Sequence, residues 1–265
     1  MRLIVAILLV CALAIAANAQ QPAMGPQRYA PADMRAVAPG LADYTDTLLF
    51  GDVWKRPGLA PRDRSLVTVA ALITNGDAGQ LGAHVSRALD NGVTPRELSE
   101  IVTHLAFYSG WPKAVTAIGI VKGVFEQRGI KPEEIAADAF PPPVLDQSAT
   151  KERNGVIARD VAPALAGYTS RIIFGNLWCR PGISARNRSL VTISALIAEG
   201  RTDQLAFYID TGLRNALTRV EISEAITHLA FYVGWPRAMS AMPIAEVAFK
   251  ADPRGGIQPL TCEAK

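Results

Sequence analysis

The sequence is poor in the side chains that most chemistry needs. Its 265 residues hold 3 histidines and 3 cysteines, and no two cysteines form a C-x-x-C pair, which disfavours a zinc ribbon or a dithiol redox centre. Aromatic residues make up 7% of the chain and charged residues 19%, with 27 Lys and Arg against 24 Asp and Glu. A net charge of only +3 gives no strong polyanion-binding balance, and nucleic acid is not expected as a partner. Runs of alternating β-branched and polar residues are scarce as well, which argues against a sheet. Apolar surface is plentiful. Hydrophobic residues make up 49% and the mean hydropathy is +0.17, enough to bury a core and unlike a disordered chain.

Arg2 precedes an apolar run from Leu3 to Ala17 that ends in Ala17-Asn18-Ala19, an A-x-A cleavage pattern. This reads as a secretory signal peptide over residues 1–19, shorter than the roughly 20 apolar residues that span a bilayer. The expected location is the periplasm or the exterior, with no stable membrane insertion after cleavage. Cys179 and Cys262 would then be the cysteines of the mature chain, in a compartment where disulfides persist. Spacing alone leaves their pairing open.

The chain then repeats itself. Leu41-Ala42-Asp43-Tyr44-Thr45 returns as Leu165-Ala166-Gly167-Tyr168-Thr169, and an offset of 124 residues holds without a gap for more than seventy positions. Arg64-Ser65-Leu66-Val67-Thr68 recurs as Arg188-Ser189-Leu190-Val191-Thr192, and Thr103-His104-Leu105-Ala106-Phe107-Tyr108 recurs as Thr227-His228-Leu229-Ala230-Phe231-Tyr232. So long a period implies two globular repeats rather than a solenoid. The organisation expected is an N-terminal extension over 20–40, repeats over 41–130 and 165–253, a Pro-rich linker over 131–164 and a tail over 254–265.

Apolar residues at three- and four-residue spacing make each repeat helical, so the fold class is all-α. Ser65 to Thr74 reads as one helix and Gln80 to Asp90 as a second, closed by Asn91-Gly92. Thr94-Pro95-Arg96-Glu97 is a capping box with proline at the first helical position, and that helix runs to about Ser109. Gly110-Trp111-Pro112 breaks the chain before a last helix through Phe125. The second copy has Asn215-Ala216 in place of Asn91-Gly92 and lacks the capping-box proline.

All three histidines, His84, His104 and His228, lie in the repeated regions, and imidazole suits proton transfer near neutral pH. Glu100, His104 and Tyr108 share one helix stripe, as do Glu224, His228 and Tyr232, so the carboxylate could orient the imidazole. The bland alternative is a half-buried histidine beside a solvated glutamate. His84 faces Tyr208 in the alignment, so the copies have diverged at a chemically significant position; if His84 and His104 share a pocket, the N-terminal copy is the better equipped. Arg56, Arg62 and Arg64 recur as Arg180, Arg186 and Arg188, and guanidinium groups suit carboxylates, although ion pairing with neighbours such as Asp63 accounts for at least one of the three. Trp54, Trp178, Trp111 and Trp235 suit core or interface anchors better than substrate platforms. No H-E-x-x-H or similar set supports a metal.

Taken in order, Arg62-x-Arg64-Ser65-Leu66, Gln80-Leu81-x-x-His84, Asn91-Gly92-Val93-Thr94-x-x-Glu97 and His104-x-x-x-Tyr108-x-Gly110-x-Pro112 resemble the carboxymuconolactone decarboxylase family over most of the mature chain. The resemblance implies two alkylhydroperoxidase D-like helical-bundle repeats in tandem. It also implies decarboxylation of a small carboxylated lactone in aromatic catabolism, with no cofactor or metal. His84, His104, His228 and Glu100 are then the catalytic candidates, and Arg64, Arg188, Trp54, Trp178 and Tyr108 the substrate-binding ones. The peroxidase relatives use C-x-x-C-x-x-x-H, but Asp77 and Gln80 occupy the two cysteine positions and Ser65 the position of the relay acid, so alkylhydroperoxidase or peroxiredoxin-type antioxidant chemistry is disfavoured. Family members form rings of single-unit subunits, so a tandem chain is expected as a trimer with a small anionic substrate. A noncatalytic oligomeric binding or scaffold role is the alternative from another class. Export sits poorly with cytoplasmic muconolactone catabolism and leaves room for a different carboxylated compound.

Overall fold

The computed structural model describes residues 28–136 and 161–251. The signal-peptide segment, most of the Pro-rich linker, the C-terminal tail and Cys262 lie outside the described residues. Every regular element among the described residues is helical.

By packing, the chain falls into one unit up to Val53 and another from Trp54 onward. In the first, α1 (Ala32–Val37) and α2 (Pro39–Tyr44) lead into a π-helical turn, Thr45–Leu49. Asp46 ties this unit together, accepting from the amides of Tyr29 (2.6 Å) and Ala30 (2.8 Å) and from Arg35 Nη2 (2.6 Å).

The second unit holds α3 (Pro61–Asn75), α4 (Ala78–Asp90), α5 (Pro95–Tyr108) and α6 (Trp111–Gln127) of the first repeat, then the short α7 (Pro132–Ile135). The second repeat supplies α8 (Pro163–Tyr168), a π-helical turn (Thr169–Phe174), α9 (Ala185–Glu199), α10 (Thr202–Arg214), α11 (Arg219–Val233) and α12 (Trp235–Ala251). The first long helix starts at Pro61, four residues before Ser65, because its opening turn, Pro61-Arg62-Asp63-Arg64, carries no apolar residue to reveal it. The stretch read as linker likewise starts with α7 and ends within α8.

Local rules explain the boundaries. Both α5 and α11 open with a complete capping box, Thr94 with Glu97 and Thr218 with Glu221, so the second copy needs no proline there. Gly76 and Gly200 close α3 and α9 in the left-handed region. After α4 and α10 the conserved feature is the asparagine, since Asn91 and Asn215 each donate to the serine near the start of the preceding helix, Ser65 and Ser189, at 2.9 Å. The next residue keeps a positive φ in both copies, 85° at Gly92 and 70° at Ala216.

The two repeats do not own separate cores. Twelve of the 15 residues in α3 and twelve of the 15 in α9 are buried, and a helix buried all round must be covered from every side. Four helices of one repeat do not achieve that. Instead α3 packs against α9, α11 of the second repeat covers α3, and α5 of the first covers α9. One apolar core contains residues of both copies, from Leu66, Val67 and Ile101 to Leu190, Ile193 and Leu229. The globular unit is therefore the pair of repeats. This exchange carries each histidine of α5 and α11 to the other repeat.

Candidate active site

Two clusters result, each built from both repeats. In the first cluster, the stretch leading into α3 supplies Trp54 and Arg56, α3 supplies Arg64 and Thr68, and α4 supplies His84 and Arg87. The second repeat contributes Glu224, His228 and Tyr232, one stripe of α11. Arg56 grips Glu224 with two bonds, Nε to Oε2 at 3.1 Å and Nη2 to Oε1 at 2.6 Å. Arg64 Nη2 donates to Glu224 Oε2 at 3.0 Å and to the Arg56 carbonyl at 2.7 Å. Trp54 Nε1 donates to the Tyr232 hydroxyl at 2.9 Å. The rings pack against one another: Trp54 lies stacked 6.1 Å from His84 and edge-on 5.0 Å from His228, and Tyr232 lies 5.3 Å from His84 and 5.0 Å from His228. Arg87 lies over the Trp54 ring at 5.2 Å.

The second cluster is the same construction with the repeats exchanged. Arg180 binds both oxygens of Glu100, through Nε at 3.1 and 3.0 Å and through Nη2 at 2.5 Å. Arg188 Nη2 donates to the Arg180 carbonyl at 2.9 Å and lies 3.7 Å from Glu100 Oε2. Trp178 Nε1 donates to the Tyr108 hydroxyl at 2.8 Å. Tyr208 takes the place of His84, stacked 6.0 Å from Trp178, with its hydroxyl 2.8 Å from that of Tyr108.

Three expectations need correction. His84 and His104 are not brought together; His84 and His228 share Trp54 and Tyr232 as neighbours, and His104 shares Tyr108 and Trp178 with Tyr208. Neither cluster belongs to one copy, so the N-terminal repeat cannot be the better equipped by itself. The glutamates do not orient the histidines either, because they face the arginines of the other repeat, and a threonine holds each ring instead. Thr68 Oγ1 lies 2.8 Å from His228 Nε2, and Thr192 Oγ1 lies 2.7 Å from His104 Nε2. Each threonine hydroxyl spends its proton on the Arg64 or Arg188 carbonyl, both at 2.8 Å. The imidazoles must then donate from Nε2, which leaves Nδ1 as the bare lone pair.

Burial and neighbouring cations set the electrostatics. His84 titrates at about 4, pushed down by burial and by Arg87, and His228 at about 3, pushed down by burial, Arg64 and His84. His104 is held well below the usual histidine range by burial and Arg188. All three rings are neutral at pH 7. Burial lifts the Tyr232 phenol to about 12 and raises those of Tyr108 and Tyr208. Arg56 and Arg64 hold the Glu224 carboxyl low. Among the described residues no group of three His, Cys, Asp or Glu side chains converges.

Other residues read from the sequence lie elsewhere. Arg62 and Arg186 belong to an ion network that joins the repeats, with Arg186 on Asp63 at 2.7 Å and on Glu221, and Arg62 on Glu97. Trp111 and Trp235 are more than half exposed, against the edges of Phe107 and Phe231. Cys179 is disulfide-bonded, and the other two cysteines lie outside the described residues. A cleft of about 540 Å³ runs between α5, α6 and α7, lined by Val102, Val121, Phe125 and Ile135, and takes in no residue of either cluster. Thr68, Thr192, Arg87 and Gly58 were not anticipated. The offset held the signal for the threonines, which recur at matching positions one turn after Arg64 and Arg188. Gly58 has φ 92°, and a Cβ there would lie 2.8 Å from Val220 and 3.1 Å from Glu224; its counterpart Gly182 stands in the same way against Glu100.

A family model described as the carboxymuconolactone decarboxylase family matches residues 39–123 and again 163–247. The 4-carboxymuconolactone decarboxylase of Acinetobacter baylyi is 38% identical over 96 residues, covering 36% of this chain and 72% of that protein. The nitrosuccinic acid decarboxylase of Metarhizium robertsii is 42% identical over 69 residues, 26% of this chain and 48% of that protein. An uncharacterized 15.0 kDa protein of Paracoccus denitrificans is 30% identical over 100 residues, covering 75% of its length.

Proposed function

The chain belongs to the carboxymuconolactone decarboxylase family, and from that premise we propose that it is a carbon–carbon lyase releasing carbon dioxide from a small carboxylated substrate, a lactone in the first instance. Two relatives carry decarboxylase names, one for a carboxylated lactone and one for a nitro-bearing diacid. The observation that carries the reading is a buried arginine with unpartnered N–H groups beside neutral imidazoles whose Nδ1 atoms are also unpartnered, packed among tryptophan and tyrosine.

The chemistry follows from those groups. A guanidinium anchors a carboxylate of the substrate with paired hydrogen bonds. As the carbon–carbon bond to the departing carboxylate breaks, its electron pair moves toward the lactone carbonyl and carbon dioxide leaves. The carbon left behind takes one proton, and imidazole Nδ1 is the position that carries it. Burial first and the neighbouring cations second depress His84 and His228; a bound carboxylate offsets the cations, so a ring takes up a proton from solvent at Nδ1 as the substrate binds and passes it to carbon. The tryptophan wall excludes water. His84, His228, Arg64 and Trp54 supply these roles in the first cluster; Glu100, His104, Tyr108, Trp178 and Arg188 occupy the matching positions of the second.

Assembly as a trimer of chains belongs to the same proposal. Trp111, Val115 and Ile118 form an exposed apolar stripe on α6, and Trp235, Met239 and Met242 form its equivalent on α12, which suits self-association. A monomer in sedimentation would contradict it. Export to the periplasm or the exterior is likewise proposed, on the segment ending at Ala19, and would direct the activity to a carboxylated compound met outside the cytoplasm.

The test is carbon dioxide release from 4-carboxymuconolactone and from nitrosuccinate by the protein made from the full sequence. Release from either supports the lyase reading. No release from both, by a folded protein, leaves the noncatalytic binding role.

A further inference from the structure

We propose that the chain has one working ligand site, the cluster of His84 and His228, and that Tyr208 has closed the other into a structural strut. The two clusters share a plan, so their differences can be taken group by group.

The first difference is in unfilled hydrogen-bonding capacity. In the first cluster Arg64 Nε and Nη1, His84 Nδ1 and His228 Nδ1 are buried without a hydrogen-bond partner among the described residues. Leaving such groups unpaired costs on the order of 1–3 kcal/mol each, so the four together call for a ligand that carries both an acceptor, for the Arg64 N–H groups, and a donor, for the imidazole lone pair. In the second cluster the one such atom is Arg188 Nε. There the His104 Nδ1 lone pair already faces Arg188 Nη1 at 3.3 Å, and both tyrosine hydroxyls are satisfied by each other and by Trp178.

The second difference is charge. Arg87 lies over the Trp54 ring at 5.2 Å in the first cluster. At the matching position the second repeat has Thr211, buried and bonded to the Phe207 carbonyl at 2.8 Å, so no guanidinium stands there. The Nε–H and Nη1–H of Arg64 are donors and suit a carboxylate, while the Nδ1 lone pair of His228 suits a donor such as a hydroxyl on the same ligand.

Access is the third. Exposure is matched, 8% at His84 and 7% at Tyr208, with none at His228 or His104, so the difference lies in which side chain meets the solvent. A path to the first cluster therefore ends at an imidazole, and the matching path in the second ends at the Tyr208 ring.

The inference rests on the lyase reading for the chemistry of the ligand, but the openness of the clusters can be read without any substrate. Diethyl pyrocarbonate carbethoxylates neutral imidazoles, and peptide mass spectrometry reads each histidine of the full chain at pH 7. The matched histidines are His228, with Nδ1 unpartnered, and His104, with Nδ1 against Arg188, and the expected result is reaction at His228 on the order of tenfold faster than at His104, which reacts only when the structure opens locally. Equal rates at the two, or protection of both, would overturn the single-site inference. Turnover supplies the second arm: Tyr208→Phe keeps decarboxylation of 4-carboxymuconolactone within about twofold, whereas His84→Gln lowers it on the order of a hundredfold. A large loss in a folded Tyr208→Phe protein would also overturn the inference. Selective reaction of His228 over His104 in a protein that releases no carbon dioxide would sink the lyase reading and leave the single site standing.

Discussion

The two clusters are one design at two stages of use. Both hold an arginine with no exposed surface, a glutamate from the other repeat and a histidine fixed by threonine. What separates them is a few side chains: His84 against Tyr208, Arg87 against Thr211, and a bare imidazole lone pair against one that faces Arg188. Duplication within one chain allows such divergence. Each repeat contributes to both clusters, so the helices that serve as scaffold for one also serve the other, and a substitution such as Tyr208 can change one site alone. The shared core is why the second cluster persists, because its ion pairs still hold α5 to α9.

The comparison can be pressed hardest at the glutamates. Glu224→Ala and Glu100→Ala each leave buried arginines without their carboxylate, and each is expected to cost about 3–5 kcal/mol in urea unfolding at pH 7. If the two clusters were unequal as scaffold, one variant would fall well short of that range.

Next in size is the response to acid. An unfolded histidine titrates near 6.5 and His84 in the protein at about 4, so between those values the unfolded chain holds the extra proton. Stability therefore falls as the pH drops through that window, by on the order of 3 kcal/mol for His84, and is flat above pH 7. His228, at about 3, extends the loss further into acid. Denaturant midpoints at pH 7 and pH 4.5 measure the slope, and His84→Gln reduces it. A slope unchanged by that variant would mean that His84 is not held neutral.

Smaller effects separate the loop glycines. Gly58→Ala and Gly182→Ala each force a side chain into positive φ against a glutamate of the other repeat, at about 1–3 kcal/mol. Only Gly58→Ala is expected to lower turnover as well, since only it disturbs the glutamate of the open cluster. The smallest effect lies far from both: Ala216→Gly relieves a residue at φ 70° and raises stability by about 1 kcal/mol, while Gly92→Ala does the reverse. Melting temperatures of the pair show the two signs.

Much of this was legible in the sequence, for reasons that can be named. Capping boxes are local, so α5 and α11 start where Thr94 and Thr218 dictate. The Glu-His-Tyr stripe was visible because helical spacing fixes it. Its partners were not, because the exchange of α5 and α11 between repeats is a matter of packing, and nothing in the spacing of Glu100 and His104 says that their neighbours are Arg180 and Thr192. The divergence of His84 and Tyr208 was plain in the alignment, yet its meaning depended on that exchange. Thr68 escaped notice as a β-branched residue in an apolar run, where its hydroxyl looked incidental.

The central claim is that one site draws on both repeats. Turnover of His84→Gln and His228→Gln, compared as folded proteins, tests it most directly. One composite site predicts that each variant alone loses activity on the order of a hundredfold, and that the double variant loses little more, since both act on one reaction. Retention of about half the activity in either single variant would contradict the claim, because it would mean that a second site, without His84 and His228 together, is working.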